Sequence, residues 1–298
     1  MRLFRAGSQP LLPRRDTKYK VINLLKTSFL IFSLYNFTQA QFCFLNPSDL
    51  QVEKFDTILE RFSPPDGYQR IPADSNRFAF WLRQMPLLPK HSPVKDFKNK
   101  IFKKSDDSTV TAVVAYDIKG RNLDQCMDIL LRLRTKYLIE NQRQNEIQFP
   151  LPDGLMLSWA EWKMGVRPKF KGAHFFLEKI ADPDSSGRNF RRYLNTIFEY
   201  SSTQAFYHYY KDINPDSLHV GDFIVKKGSK GHAVMILDLA SDEEGNLLAL
   251  IGQGDTPACQ FYLLNYKNDN PWFPIDRNKE VLPLPIKKKM RWNGLRRF

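Results

Sequence analysis

The amino-acid sequence predicts an α+β fold in which N-terminal helices and a strand–helix unit pack on an antiparallel sheet. Three observations predict it. The segment "STVTAVVAYDI" (108–118) is β-branched and alternating, the pattern of a half-buried strand. Directly after it, Leu123, Cys126, Ile129, Leu130, Leu133, Tyr137 and Leu138 recur at three- and four-residue intervals, one apolar face of a long helix. The last third holds four apolar runs, "DFIV", "HAVMILDLA", "LLALIGQ" and "CQFYLLN", joined by the turn sequences "KKGSKG", "SDEEGN" and "GDTPA". Helices first and a meander last make one α+β domain.

The remaining elements follow in chain order. Val52, Phe55, Ile58, Leu59 and Phe62 have helical spacing, and the prolines of "SPPDG" end the run. "SNRFAFWLRQM" reads as a second helix, with Ser75 or Asn76 as its N-cap. "PLLPKHSPVKDFKNK" is a proline-punctuated connector. A loop-rich middle contains "PDGLMLSWAEWKMGVRP", and "SGRNFRRYLNTIFEYSSTQAFYHYY" is a further helix. No repeat and no low-complexity segment interrupts this order.

Composition bounds the partners. The chain has 298 residues, 42% of them hydrophobic, which is ordinary for a globular protein with a real core. Its net charge of +13 sits at the two ends. Residues 1–40 carry seven Lys and Arg against Asp16 alone, and residues 281–298 form a basic tail with Lys287, Lys288, Lys289, Arg291, Arg296 and Arg297. The body between is nearly neutral, which argues against a nucleic-acid face. "RRDTKYKVINLLK", "TSFLIFSLYNF" and "TQA" run in the order of a secretory signal peptide ending near Ala40. The apolar run is too short for a bilayer span, which needs about 20 residues, so the expectation is export to the periplasm or cell surface, with no transmembrane span once the signal is removed. The expected organisation is a signal peptide over 1–40, a lead-in over 41–60, a single α+β domain over 61–280 and the tail over 281–298.

One constellation can carry chemistry. Cys126 lies at the start of its helix, where the macrodipole and unpaired N–H groups favour a thiolate. His232 opens a strand and is placed to act as base. Gln253, on the next strand, is the group to orient the imidazole, with Asp255 as alternate. Helix cysteine, strand histidine and polar orienter follow papain-like logic. Two other readings stand beside it. Cys126 also falls on the apolar stripe of its helix, where free cysteines commonly pack, and a Cys126–Cys259 disulfide would remove the nucleophile. Asp222 and Asp255 are possible substrate-binding residues, and Trp159 with Trp162 could make an aromatic platform for sugar rings, although tryptophans at that spacing are more often core. The histidines are scattered singly, so no metal site is expected, and without a glycine-rich phosphate loop no cofactor is expected.

"RFSPPDGYQR" (61–70), "FAFWLRQMPLLP" (78–89), "AVVAYDIKGRNLDQCMDILLRLRTKYL" (112–138), "GDFIVKKGSKGHAVMILDLA" (221–240) and "GQGDTPACQFYLLN" (252–265) resemble an exported bacterial family, domain of unknown function 4846. The resemblance implies that Cys126, His232 and Gln253 occupy motif positions. The GD-strand-GH-strand order is also similar, at the level of arrangement, to the NlpC/P60 and amidase groups of cell-wall enzymes. Two features depart from the patterns: a long cysteine-to-histidine separation, and an extra residue and a cysteine after Gln253. The expected function is a cell-envelope cysteine hydrolase or acyl transferase acting on an amide in wall peptide. The alternative is a non-catalytic envelope protein that binds glycan or a protein partner.

Overall fold

A computed structural model describes residues 44–45, 47–73, 77–118, 121–172, 174–228, 230–267 and 270–298. The signal-peptide reading of residues 1–40, Cys43 and the Ser75/Asn76 cap lie outside the described residues. Six helices and an eight-stranded sheet organise the rest, a mixed α and β architecture whose strand pairs are all antiparallel. The helices are α1 (Ile58–Arg61), α2 (Arg77–Arg83), α3 (Cys126–Glu140), α4 (Trp159–Lys163), α5 (Gly187–Tyr200) and α6 (Thr203–Tyr209). The sheet strands are β1 (Gln69–Arg70), β2 (Val110–Val113), β3 (Phe223–Lys226), β4 (His232–Ser241), β5 (Leu247–Gln253), β6 (Tyr262–Leu264), β7 (Trp272–Ile275) and β8 (Leu295–Arg296).

The strand path runs β8-β3-β4-β5-β6-β2, with β1 paired to the far end of β4 and β7 to β5. β4 is the spine. It is buried from His232 to Ala240 and hydrogen-bonded on both edges, and α2 and α3 pack against it, so it reads as a continuous apolar run rather than an alternating one. The exception within that run is Asp238, fully buried beside a register shift and held by Arg70 at 2.5 Å and Arg83 at 2.6 Å. Two guanidiniums on one carboxylate join β1, α2 and β4, and they satisfy a charge that could not otherwise remain in the core.

Several expectations shift in detail. The first helix shortens to one turn because Asp56 and Thr57 pair with Pro86 and Leu87, and a Thr57–Glu60 capping box starts the helix only at Ile58. The eleven-residue strand is regular over β2 alone. Val114 and Tyr116 continue it as single bridges to Leu87 and Phe44. The helix expected at 186–210 breaks at Ser201, whose hydroxyl donates to Pro150 O at 2.6 Å, and α6 begins after it. Two-stranded ribbons at Gln148–Pro150/Met156–Ser158 and Val166–Lys171/His174–Lys179 fill the middle that reads as loop.

The basic tail is not a solvated extension. Residue Leu295 pairs with Ile224 and Arg296 with Phe223, so the segment supplies a strand to the sheet. Leu282, Met290, Trp292 and Leu295 are buried in the core, an apolar content that local charge counting overlooks. Arg296 pairs with Asp212 at 2.8 Å and Arg297 with Asp222 at 2.6 Å.

Candidate active site

Three elements converge where β4 begins and β5 ends. Cys126 is the first residue of α3, and that helix opens with an Asp128 carboxylate accepting from the Gln125 N–H at 3.2 Å. The segment after β5 fastens the same turn to the sheet: Thr256 donates to Gln125 Oε1 at 3.0 Å, and the Ala258 N–H donates to Asn122 at 2.7 Å. Gly254 permits that approach, since a Cβ there would lie 2.9 Å from Ile129 Cγ2.

The sheet register supplies the other partners. Met235 pairs with Gly252, so Val234 stands one step on beside Gln253. His232, two residues before Val234, therefore shares a sheet face with Gln253. His232 Nε2 lies 2.7 Å from Gln253 Oε1, and the Gln253 amide donates to the Tyr262 hydroxyl at 2.5 Å. An amide oxygen accepts, so Nε2 carries the ring proton and Nδ1 keeps its lone pair. The backbone N–H groups of Ala233, the residue next to His232, and of Met127 favour the Cys126 thiolate, against the effect of burial. The structure thus gathers Cys126, His232, Gln253 and Asp255 at one end of the sheet.

Lys288, the group that sequence reasoning missed, completes the cluster. Residues 282–290 leave the fold and return across paired stems, with Val281 bridged to Arg291 and the Leu282 N–H bonded to Met290 O at 2.9 Å. From this loop Lys288 Nζ reaches His232 Nδ1 at 3.3 Å and Asp255 Oδ1 at 3.1 Å. A signal was present in the sequence: Leu282, Leu284, Ile286 and Met290 alternate with prolines and lysines, a pattern suited to packing on the body rather than to a free tail. Tyr262 was also overlooked, because one hydroxyl inside the apolar run "CQFYLLN" carries no local mark.

The site is closed. Cys126 is 6% exposed, and His232 and Gln253 are 1% exposed. Burial pushes the Cys126 thiol up to about 11, with Asp128 adding to the rise and Lys288 opposing it. Burial pushes His232 down to about 4, and Lys288 repulsion adds to the fall while the Gln253 bond opposes it. At neutral pH the pair is therefore a thiol beside a neutral imidazole. Both Cys126 and Cys259 are free thiols, so the alternative reading of a disulfide between them does not hold.

The outlying candidates do not join the site. Trp159 and Trp162 pack within the core on Phe190 and Tyr193, with the Trp162 indole donating to Asn189 at 2.9 Å, so they form no exposed sugar platform. Asp222 is 1% exposed and gripped in bidentate fashion by Arg297, which leaves it no free oxygen for a substrate. Among the described residues no group of three or more His, Cys, Asp or Glu is placed to hold a metal ion, and no helix is long and apolar enough to cross a membrane. A family model described as domain of unknown function (4846) matches residues 58–295. No curated protein and no solved structure matches the chain.

Proposed function

For this chain, which belongs to the family described as domain of unknown function 4846, we propose a cell-envelope cysteine hydrolase or acyl transferase acting on an amide bond, with wall peptide as the substrate class. The observation that carries this reading is the clustering of three groups at one end of the sheet. Gln253 holds His232 Nε2 at 2.7 Å, Lys288 bonds to Nδ1 at 3.3 Å, and the charge of the same Lys288 acts on the Cys126 thiol. That orientation reserves Nδ1 for proton transfer, the same division of labour as in papain-like sites. The signal-like residues 1–40 support an exported setting, and the setting supports the choice of wall peptide.

The chemistry balances with these groups alone. Nδ1 of His232 takes the Cys126 proton as sulfur attacks the carbonyl carbon, and backbone N–H groups at the start of α3 face the developing oxyanion. The C–N bond breaks, the amine leaves with the proton from His232, and a thioester remains on Cys126. Water, or an acceptor amine, then gives its proton to His232 and displaces the thiolate, which regains that proton.

In the closed form Lys288 donates to Nδ1, so the base is engaged and the thiol stays protonated. Turnover therefore requires the 282–290 loop to withdraw Lys288. Iodoacetamide labelling of the folded protein tests this. Cys126 in the native chain is expected to label slowly at pH 7, and Lys288→Ala to label about tenfold faster or more, a barrier change of about 1.4 kcal/mol. The gain should vanish in Lys288→Ala combined with His232→Gln. If Lys288→Ala labels no faster, or keeps its gain without His232, Cys126 is a packing thiol and the enzyme reading is wrong.

A further inference from the structure

A second cluster of chemistry lies on α3, eight residues beyond Cys126 and so about 12 Å along the helix. Arg134 there, with Arg143 and Phe298, lines both of two depressions, of about 340 and 600 Å³, which these shared residues join into one cleft. Arg77, Arg143 and Arg297 line the smaller one with Arg134, and Lys211 stands in the larger.

Charge is unevenly satisfied within this cluster. Arg297 is neutralised by Asp222 through bonds of 2.6 and 2.8 Å, and Arg143 by Glu146 through bonds of 2.5 and 2.6 Å. Among the described residues no carboxylate comes within ion-pair distance of Arg134 or Arg77. Arg134 instead lies over aromatic rings, its guanidinium carbon 4.9 Å from the centre of Phe78 and 5.2 Å from that of Tyr137. Burial lowers its pKa, and the neighbouring Arg143 adds to that. A half-buried guanidinium stacked on aromatics keeps its in-plane N–H fork for a planar or tetrahedral oxyanion.

We infer that this cleft binds a small organic oxyanion, a carboxylate or a phosphate ester, with its head on Arg134 and Arg77 and its apolar body toward Tyr209 and Met156. The Arg297–Asp222 and Arg143–Glu146 pairs flank the cleft, each acid bonded twice by its own arginine, while Glu146 acts on Arg134 only at longer range. Tyr209 is 48% exposed at the rim of the larger depression, which gives the apolar body a surface to cover.

Calorimetric titration of the full chain at constant ionic strength, with phenyl phosphate, phenylacetate and inorganic phosphate as probes, tests the inference. Saturable binding of at least one aryl acid is expected with a Kd below ~1 mM, or about −4 kcal/mol. Binding should weaken at least tenfold in Arg134→Gln and remain unchanged in Cys126→Ala. The tighter of the two aryl acids identifies the head group, and weaker binding of inorganic phosphate identifies the apolar contact. Arg77→Gln, at an exposed position, serves as the second variant should Arg134→Gln not fold, and it should weaken binding several-fold. No saturable binding of either aryl acid, or an affinity unchanged in the arginine variants, would overturn the inference and leave Arg134 a packing residue.

Discussion

His232 is the residue at which fold stability and the proposed chemistry are coupled. Its folded pKa is pushed from 6.5 down to about 4, chiefly by burial, so the unfolded chain binds a proton at pH values where the folded chain does not. The stabilisation is then fully present above about pH 6.5 and is lost as pH falls toward 4. The shift corresponds to roughly 3 kcal/mol at most. Urea unfolding at pH 7.5, 5.5 and 4.5 should show the native chain losing more stability on acidification than His232→Gln. The difference between the two isolates the histidine from Asp124 and Asp128, whose burial raises their pKa values and slopes stability in the opposite sense. Equal pH slopes would mean that the imidazole is solvated, which contradicts its burial. None of this was legible from "GSKGHAVM". A histidine at the head of a strand has the same local sequence whether its ring is wet or sealed.

Among the elements, α3 and the end of β5 determine whether Cys126 can meet His232. Helix periodicity placed Cys126 at the helix start, and the turn sequences that bound the apolar runs placed His232 and Gln253 at strand ends, so the element assignments around the site were readable locally. Their docking depends on Gly254, where the helix passes too close for a side chain. In Gly254→Ala the new Cβ would sit 2.9 Å from Ile129 Cγ2 and 3.7 Å from Gln125 O, and the first turn of α3 would have to shift. The expected cost is about 1–3 kcal/mol, read from denaturant midpoints, together with loss of the labelling gain that Lys288→Ala confers. A variant as stable as the native chain would show that the helix has room to spare. The shortened first helix and the break at Ser201 have a related cause. Bridges from Thr57 to Pro86 and from Ser201 to Pro150 compete with local helical spacing, and those partners are distant in sequence.

At the scale of the whole molecule, the C-terminal segment closes the sheet and seals the site. Of its cations, Lys288, Arg291, Arg296 and Arg297 are each paired with an acid: Asp255, Glu280, Asp212 and Asp222. A charge run that looks like a tail is thus largely spent on internal partners. The segment passes so near β3 that a Cβ at Gly294 would lie 2.1 Å from Val225 O, a backbone atom that cannot step aside. Gly294→Ala is therefore expected to lower stability by about 2–4 kcal/mol and to lower the thermal midpoint accordingly. An unchanged midpoint would mean that the segment does not dock as described.

By itself the sequence determined the α+β class, the late antiparallel meander, and the positions of Cys126, His232 and Gln253 at element ends, because apolar periodicity and turn residues act over a few neighbours. Tertiary structure alone decided that these groups gather at one end of the sheet, that Lys288 bonds to His232, that Trp159 and Trp162 face inward and that Asp222 is locked by Arg297. Each of those outcomes depends on which buried faces pack together across tens to hundreds of residues, and side-chain spacing along the chain carries no record of that choice.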